Sequence, residues 1–231
     1  MDEQIVLEDD LLLEYFKFKN NEPCDNAIVQ RLLTYYKPHL TNIEQLDRIK
    51  RGDNDLKQQL LQQRYKSENL EELVEKTSLK LILSKNKSDY PFVNILKCKD
   101  EPIESNYTAT FQNVPRKKAI EHIKALCQTA KIIYIYDNFL NKYTENYLNS
   151  ICNLFPKTNL TLICDMEQRV RSYWKHCNKN LNMPTMPSTP YKNFHDRYLQ
   201  IDKKTEIILT SGFDHLFSED GDFTYIVRLL K

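Results

Sequence analysis

Two apolar runs, Ile132-Ile133-Tyr134-Ile135-Tyr136 and Leu160-Thr161-Leu162-Ile163-Cys164, each end in an acid, Asp137 and Asp165, and flank a helix-patterned stretch from Tyr143 to Leu154. Strand, helix and strand at this spacing imply a parallel pair joined by a right-handed crossover, so this part of the chain must build an α/β layer. The near-continuous run at 132–136 reads as a strand buried on both faces. Upstream, Pro115-Arg116-Lys117-Lys118 opens a helix whose apolar face is Ala119, Ile120, Ile123, Ala125, Leu126 and Ala130, proline being tolerated in a first turn. Downstream come a basic helix from Met166 to Lys179 and three strands, Arg197 to Ile201, Glu206 to Leu209 and Phe223 to Leu229. The stretch 182–190, broken by Pro184, Pro187 and Pro190, reads as a loop bordering a site.

The first 75 residues are patterned differently. Apolar residues at helical spacing in Leu11-Leu12-Leu13-Tyr15-Phe16 and Ile28-Leu32-Leu33-Tyr35-Tyr36, and a third stretch from Ile43 to Val74, predict a helical N-terminal region. Within it, Gly52-Asp53-Asn54-Asp55 reads as a break followed by an N-cap. From 76 to 114 the runs Leu79 to Leu83, Phe92 to Leu96 and Tyr107 to Phe111 predict a small antiparallel β-rich segment. The expected class is therefore α+β or α/β: a helical and β-rich N-terminal region, then an α/β domain over 115–231 with a mixed sheet flanked by helices.

Composition removes several functions. The 33 basic and 32 acidic side chains leave a net charge of +1, so nucleic acid or an anionic membrane has only a local patch to bind. The sequence has no apolar run of the roughly 20 residues a membrane span needs, and its acidic start lacks the basic flank of a signal peptide, which together predict a cytoplasmic protein. The three glycines, Gly52, Gly212 and Gly221, are too far apart for a dinucleotide or phosphate-loop motif. The six cysteines, Cys24, Cys98, Cys127, Cys152, Cys164 and Cys177, include no CxxC pair, and the expectation is free thiols with no metal site.

Chemistry concentrates in Phe194-His195-Asp196-Arg197 through Asp202 and in Thr210-Ser211-Gly212-Phe213-Asp214 one strand later. Residues i and i+2 of a strand point the same way, which predicts that His195 and Arg197 project together into one opening. An imidazole can attack phosphorus or move a proton near neutral pH. A guanidinium beside it can clamp two phosphate oxygens. Asp202 can orient the imidazole, and Thr210, Ser211 and Gly212 can offer hydroxyl and backbone donors. The basic helix carries Arg169, Arg171, Trp174 and Lys175, a set able to track a nucleic-acid backbone and stack bases.

The spacing of His195, Arg197 and Asp202, with the Ser-Gly turn that follows, resembles the signature of the phospholipase D superfamily, with Arg197 where catalytic members carry Lys. The resemblance covers about residues 115–231. It implies a phospholipase D-like α/β domain in which Asp137 ends the early strand and adjoins the phosphate site with Thr210, Ser211 and Gly212. It also implies a metal-independent phosphodiester hydrolase, in the manner of nucleases used in bacterial restriction or anti-phage defence, without cofactor. Such chemistry uses two histidines, and a chain holding one motif would supply the second by forming a homodimer. His195-Asp196-Arg197 with Gly212-Phe213-Asp214 is also similar to the C-terminal phospholipase D-like domain of MIT-domain proteins. That likeness implies the alternative, a non-catalytic module binding phosphate groups of lipid, nucleic acid or a protein partner.

Overall fold

The structure is a computed structural model that describes residues 3–97, 100–184 and 194–230. Cys98 and the part of the predicted loop beyond Pro184 lie outside the described residues. The chain divides into two compact units, 1–106 and 107–231.

The first unit contains the strands β1 (Ile5–Leu7), β2 (His39–Leu40), β3 (Ile82–Ser84) and β4 (Phe92–Asn94) and the helices α1 (Asp9–Lys19), α2 (Asn26–Tyr35), α3 (Ile43–Arg48), α4 (Asn54–Gln62) and α5 (Leu70–Val74). Its strands form one sheet in the order β2-β1-β3-β4, every pair parallel. Two expectations are thereby corrected. The N-terminal 75 residues are not helical throughout, because Ile5-Val6-Leu7 makes a wholly buried central strand. The runs near 82 and 93 are parallel rather than antiparallel: β3 and β4 are buried at every residue, the mark of strands covered on both faces.

The break and N-cap read at 52–55 are present. Gly52 adopts φ +84°, a conformation only glycine takes without strain, and the Asp53 carboxylate then accepts the Leu56 N–H at 2.8 Å to cap α4. Asn69 and Glu72 form a reciprocal capping box at α5.

Among the described residues the second unit is built on a seven-stranded mixed sheet of β5 (Thr108–Gln112), β6 (Ile132–Tyr136), β7 (Leu160–Cys164), β8 (Leu181–Asn182), β9 (Arg197–Ile201), β10 (Thr205–Leu209) and β11 (Asp222–Leu229), in the order β5-β11-β10-β9-β6-β7-β8. Its helices are α6 (Lys117–Cys127), α7 (Glu145–Cys152), α8 (Gln168–Cys177) and the short α9 (Phe213–Leu216). The strands β6, β7 and β8 are parallel, and β9, β10, β11 and β5 continue the sheet antiparallel. The strand that begins at Tyr107 in the sequence therefore belongs to this sheet, as its edge.

Ile133, Ile135, Leu162, Leu199, Ile207, Leu209, Phe223 and Tyr225 from the sheet and Ala119, Ile123, Leu148, Ile151, Val170 and Trp174 from the helices are buried. The β6 strand alternates between buried and half-buried instead of being sealed on both faces. Its outer positions are the stacked pair Tyr134 and Tyr136, with the Lys203 ammonium 5.8 Å over the first ring. Tyrosine takes part in an apolar run yet tolerates a wet face, which is why the run reads as more buried than it is. No helix among the described residues is long and apolar enough to cross a membrane.

Candidate functional site

Strand direction gathers the candidate residues at one end of the second sheet. Parallel β6 and β7 both finish there, at Asp137 and Asp165, whereas antiparallel β9 begins there at Arg197 and β10 finishes there at Leu209. Tyr136 pairs with Tyr198 and Leu209 with Arg197, so Asp137, Arg197 and the turn at Thr210 are lateral neighbours.

Arg197 and Asp137 form a buried bracket. The guanidinium side chain is 9% exposed and the carboxylate 0%, with Nε 3.6 Å from Oδ1. Nη1–H donates to the His195 carbonyl at 2.7 Å, and the guanidinium lies 4.7 Å over the Phe139 ring. The Phe139 N–H donates to Asp137 Oδ1 at 2.7 Å. Burial pushes the Asp137 carboxyl above its usual range, outweighing the Phe139 amide, Arg197 and the Tyr143 hydroxyl, which pull it down; nearby Asp214 raises it further. Tyr143 belongs to the same cluster. Its hydroxyl accepts the Phe213 N–H at 3.1 Å, and burial, then Asp137 and Asp214, raise its pKa. A Cβ on Gly212 would stand 2.8 Å from Tyr143 Oη and would collide with the Asp214 carboxylate, so a larger residue here would push those two side chains aside.

His195 lies just before β9, and its side chain is 80% exposed, 3.8 Å from Asp196 through Nδ1. The expectation that His195 and Arg197 share one opening is corrected. The i, i+2 rule applies inside a strand, and only Arg197 is inside it, folded under the chain to hold the His195 carbonyl. Asp202 stands at the other end of β9, roughly 16 Å away along five residues of strand. There its carboxylate accepts Lys131 N–H at 3.0 Å and Ile132 N–H at 2.7 Å, tying the β9–β10 turn to the start of β6. It orients no imidazole at the Arg197 end.

Thr210 is also engaged. Its N–H and hydroxyl both donate to the Thr224 carbonyl, at 3.1 and 3.2 Å. Ser211 is half-buried and Gly212 buried. Asp202→Ala is expected to cost about 1–3 kcal/mol in urea unfolding, from two orphaned amides and a left-handed backbone at φ +50°. Asp202→Asn keeps an acceptor and tolerates that φ, so it should recover much of the loss.

The basic helix divides in the same way. Trp174 is buried with its indole N–H donating to the Leu148 carbonyl at 2.8 Å, and its ring meets Phe155 edge-on at 6.1 Å. It is a core anchor and stacks no base. Arg169 Nη2 donates to the Asn141 and Tyr143 carbonyls at 2.7 and 3.1 Å, holding the loop after β6. Arg171 and Lys175 instead line a groove of about 700 Å³ between α8 and β8, together with His176 and Lys179.

Sequence reasoning missed Arg116. Its buried guanidinium donates to the carbonyls of His215, Ser218, Asp220 and Gly221 and faces Phe223 at 5.5 Å, fixing the segment that follows Gly212. Its only local signal was the Pro115-Arg116 helix start, which does not reveal partners a hundred residues away. The described cysteines are all free thiols. No protein-family model matches the chain, and no curated protein matches it as a relative.

Proposed function

We propose that the second unit recognises phosphate groups without cleaving them, the non-catalytic reading of the phospholipase D-like resemblance. One observation carries this choice: the guanidinium expected to clamp a phosphate is buried, ion-paired with Asp137 at 3.6 Å and hydrogen-bonded through Nη1 to the His195 carbonyl. A buried guanidinium paired with a buried carboxylate acts as structure unless something displaces its partners, even with Arg197 Nε and Asp137 Oδ2 left without hydrogen bonds. The Thr210 donors and the Asp202 carboxylate are occupied likewise. Positive charge is presented instead in the groove along α8, whose lining includes Arg171, Lys175, His176 and Lys179.

A second reading, metal-independent hydrolysis of a phosphodiester by a homodimer, is favoured by the exposed imidazole of His195 beside Asp196. Two protomers meeting across a two-fold axis would bring two such imidazoles together.

The two readings separate in one set of assays. Purified protein is passed over phosphocellulose, and separately incubated in EDTA with plasmid, RNA and bis(p-nitrophenyl) phosphate. Salt-reversible retention with no cleavage is expected. EDTA-resistant cleavage that disappears in His195→Ala would establish hydrolysis instead, and failure to be retained would remove the recognition reading.

A further inference from the structure

The groove between α8 and β8 is where charge and shape coincide. Among the described residues β8 is the last strand of its sheet, and α8 is fastened across it by its own cations. The Arg171 guanidinium donates to the Met183 carbonyl, and the Lys175 ammonium to the Lys179 and Leu181 carbonyls at 2.8 and 2.6 Å. These contacts hold the two cations in place and leave each with further N–H donors, since a guanidinium has five and an ammonium three. His176 and Lys179 are exposed beside them, and none of the described residues lining the groove is acidic. Leu181 supplies apolar floor, and Asn182 an amide at the rim.

We propose that this groove binds a single strand of nucleic acid by its phosphates, an inference that rests on the phosphate-recognition reading and names its ligand class. Three features select a strand. Arg171 and Lys175 lie one turn apart on α8, roughly 6 Å along the axis, a spacing at which successive phosphates of an extended chain can each meet one, and Lys179 adds a third cation just past the helix end. A trough between a helix and a sheet edge admits a flexible chain, whereas a bilayer surface or a rigid duplex would rest on its rims. An apolar floor with an amide at the rim suits unstacked bases, while the buried Trp174 leaves affinity to charge rather than to stacking. Binding dominated by phosphates releases counterions and is steeply salt-dependent.

The test measures fluorescence anisotropy of a labelled 12-nucleotide single-stranded DNA in EDTA between 50 and 250 mM salt. The proteins compared are wild type, Lys179→Glu and the double variant His176→Glu/Lys179→Glu. Neither altered side chain makes a bond that holds the fold, and thermal melts confirm folding. The expected result is a log–log salt slope of about −2 for roughly three engaged cations, with at least a tenfold loss of affinity and a slope shallower by about 1 in the double variant. Unchanged affinity and slope in both variants would overturn the inference. Binding to phosphatidylserine vesicles or polyphosphate without binding to the strand would overturn it too, while leaving phosphate recognition intact. Binding to none of these probes would remove both.

Discussion

Replacing Asp137 by alanine is expected to destabilise the second unit by about 3–5 kcal/mol at neutral pH, because it strands a buried guanidinium that cannot shed its proton. The converse change should behave differently. In Arg197→Met the carboxyl left behind can take up a proton, and losing the guanidinium removes one of the influences that hold its pKa down. The sign follows from linkage. A carboxyl whose folded pKa lies above its unfolded value of 3.8 contributes its stability in full below that value and loses it as pH rises through the folded pKa. The cost of Arg197→Met should thus be smallest at low pH, where the carboxyl is protonated in both proteins, and grow by up to about 1.4 kcal/mol per pH unit between the raised pKa of the wild-type carboxyl and the still higher one of the variant. The cost of Asp137→Ala should be large at neutral pH with no such growth. Replacing both, as Asp137→Leu/Arg197→Met, should cost less at pH 7 than Asp137→Ala alone, since an apolar pair leaves no buried charge. Urea unfolding of the three variants at pH 4 and 7 checks the pattern, and an Arg197→Met penalty that is flat with pH would contradict the bracket.

Arg116→Ala should cost about 3–5 kcal/mol, because one guanidinium serves four carbonyls between His215 and Gly221 and their losses are not additive. Arg116→Lys should recover little, an ammonium lacking the planar fork that reaches several carbonyls at once. Limited proteolysis should show new cutting between Phe217 and Gly221 in both variants. A lysine variant indistinguishable from wild type in urea and in proteolysis would mean that the segment holds itself.

The contrast between the two units shows what patterning conveys. The β6–α7–β7 section was legible because two apolar runs, each ended by an acid, leave few arrangements open to the chain. The first sheet was not, since β1 and β2 span three residues and two, too short for any periodicity to register. Asp137, Arg197 and Thr210 do come together at one end of the second sheet, but with partners that spacing did not reveal. Spacing places side chains along a strand, and it says nothing of which neighbour each will bond. Arg197 is claimed by an acid from β6, Thr210 by a carbonyl from β11 and Trp174 by the core. Asp202 was misread more simply: five residues of strand carry it to the opposite end. The groove between α8 and β8 depends on two elements coming together, which the basic helix alone did not disclose.

The central proposal is that the second unit holds phosphate and does not transfer it. Its most direct test is to incubate an end-labelled single-stranded oligonucleotide in EDTA with the wild type and with His195→Ala, and to resolve the strand on a denaturing gel. The strand is expected to emerge at full length from both. Shortened products from the wild type that are missing with His195→Ala would contradict it, and would return His195 to the centre of a phosphoryl-transfer site.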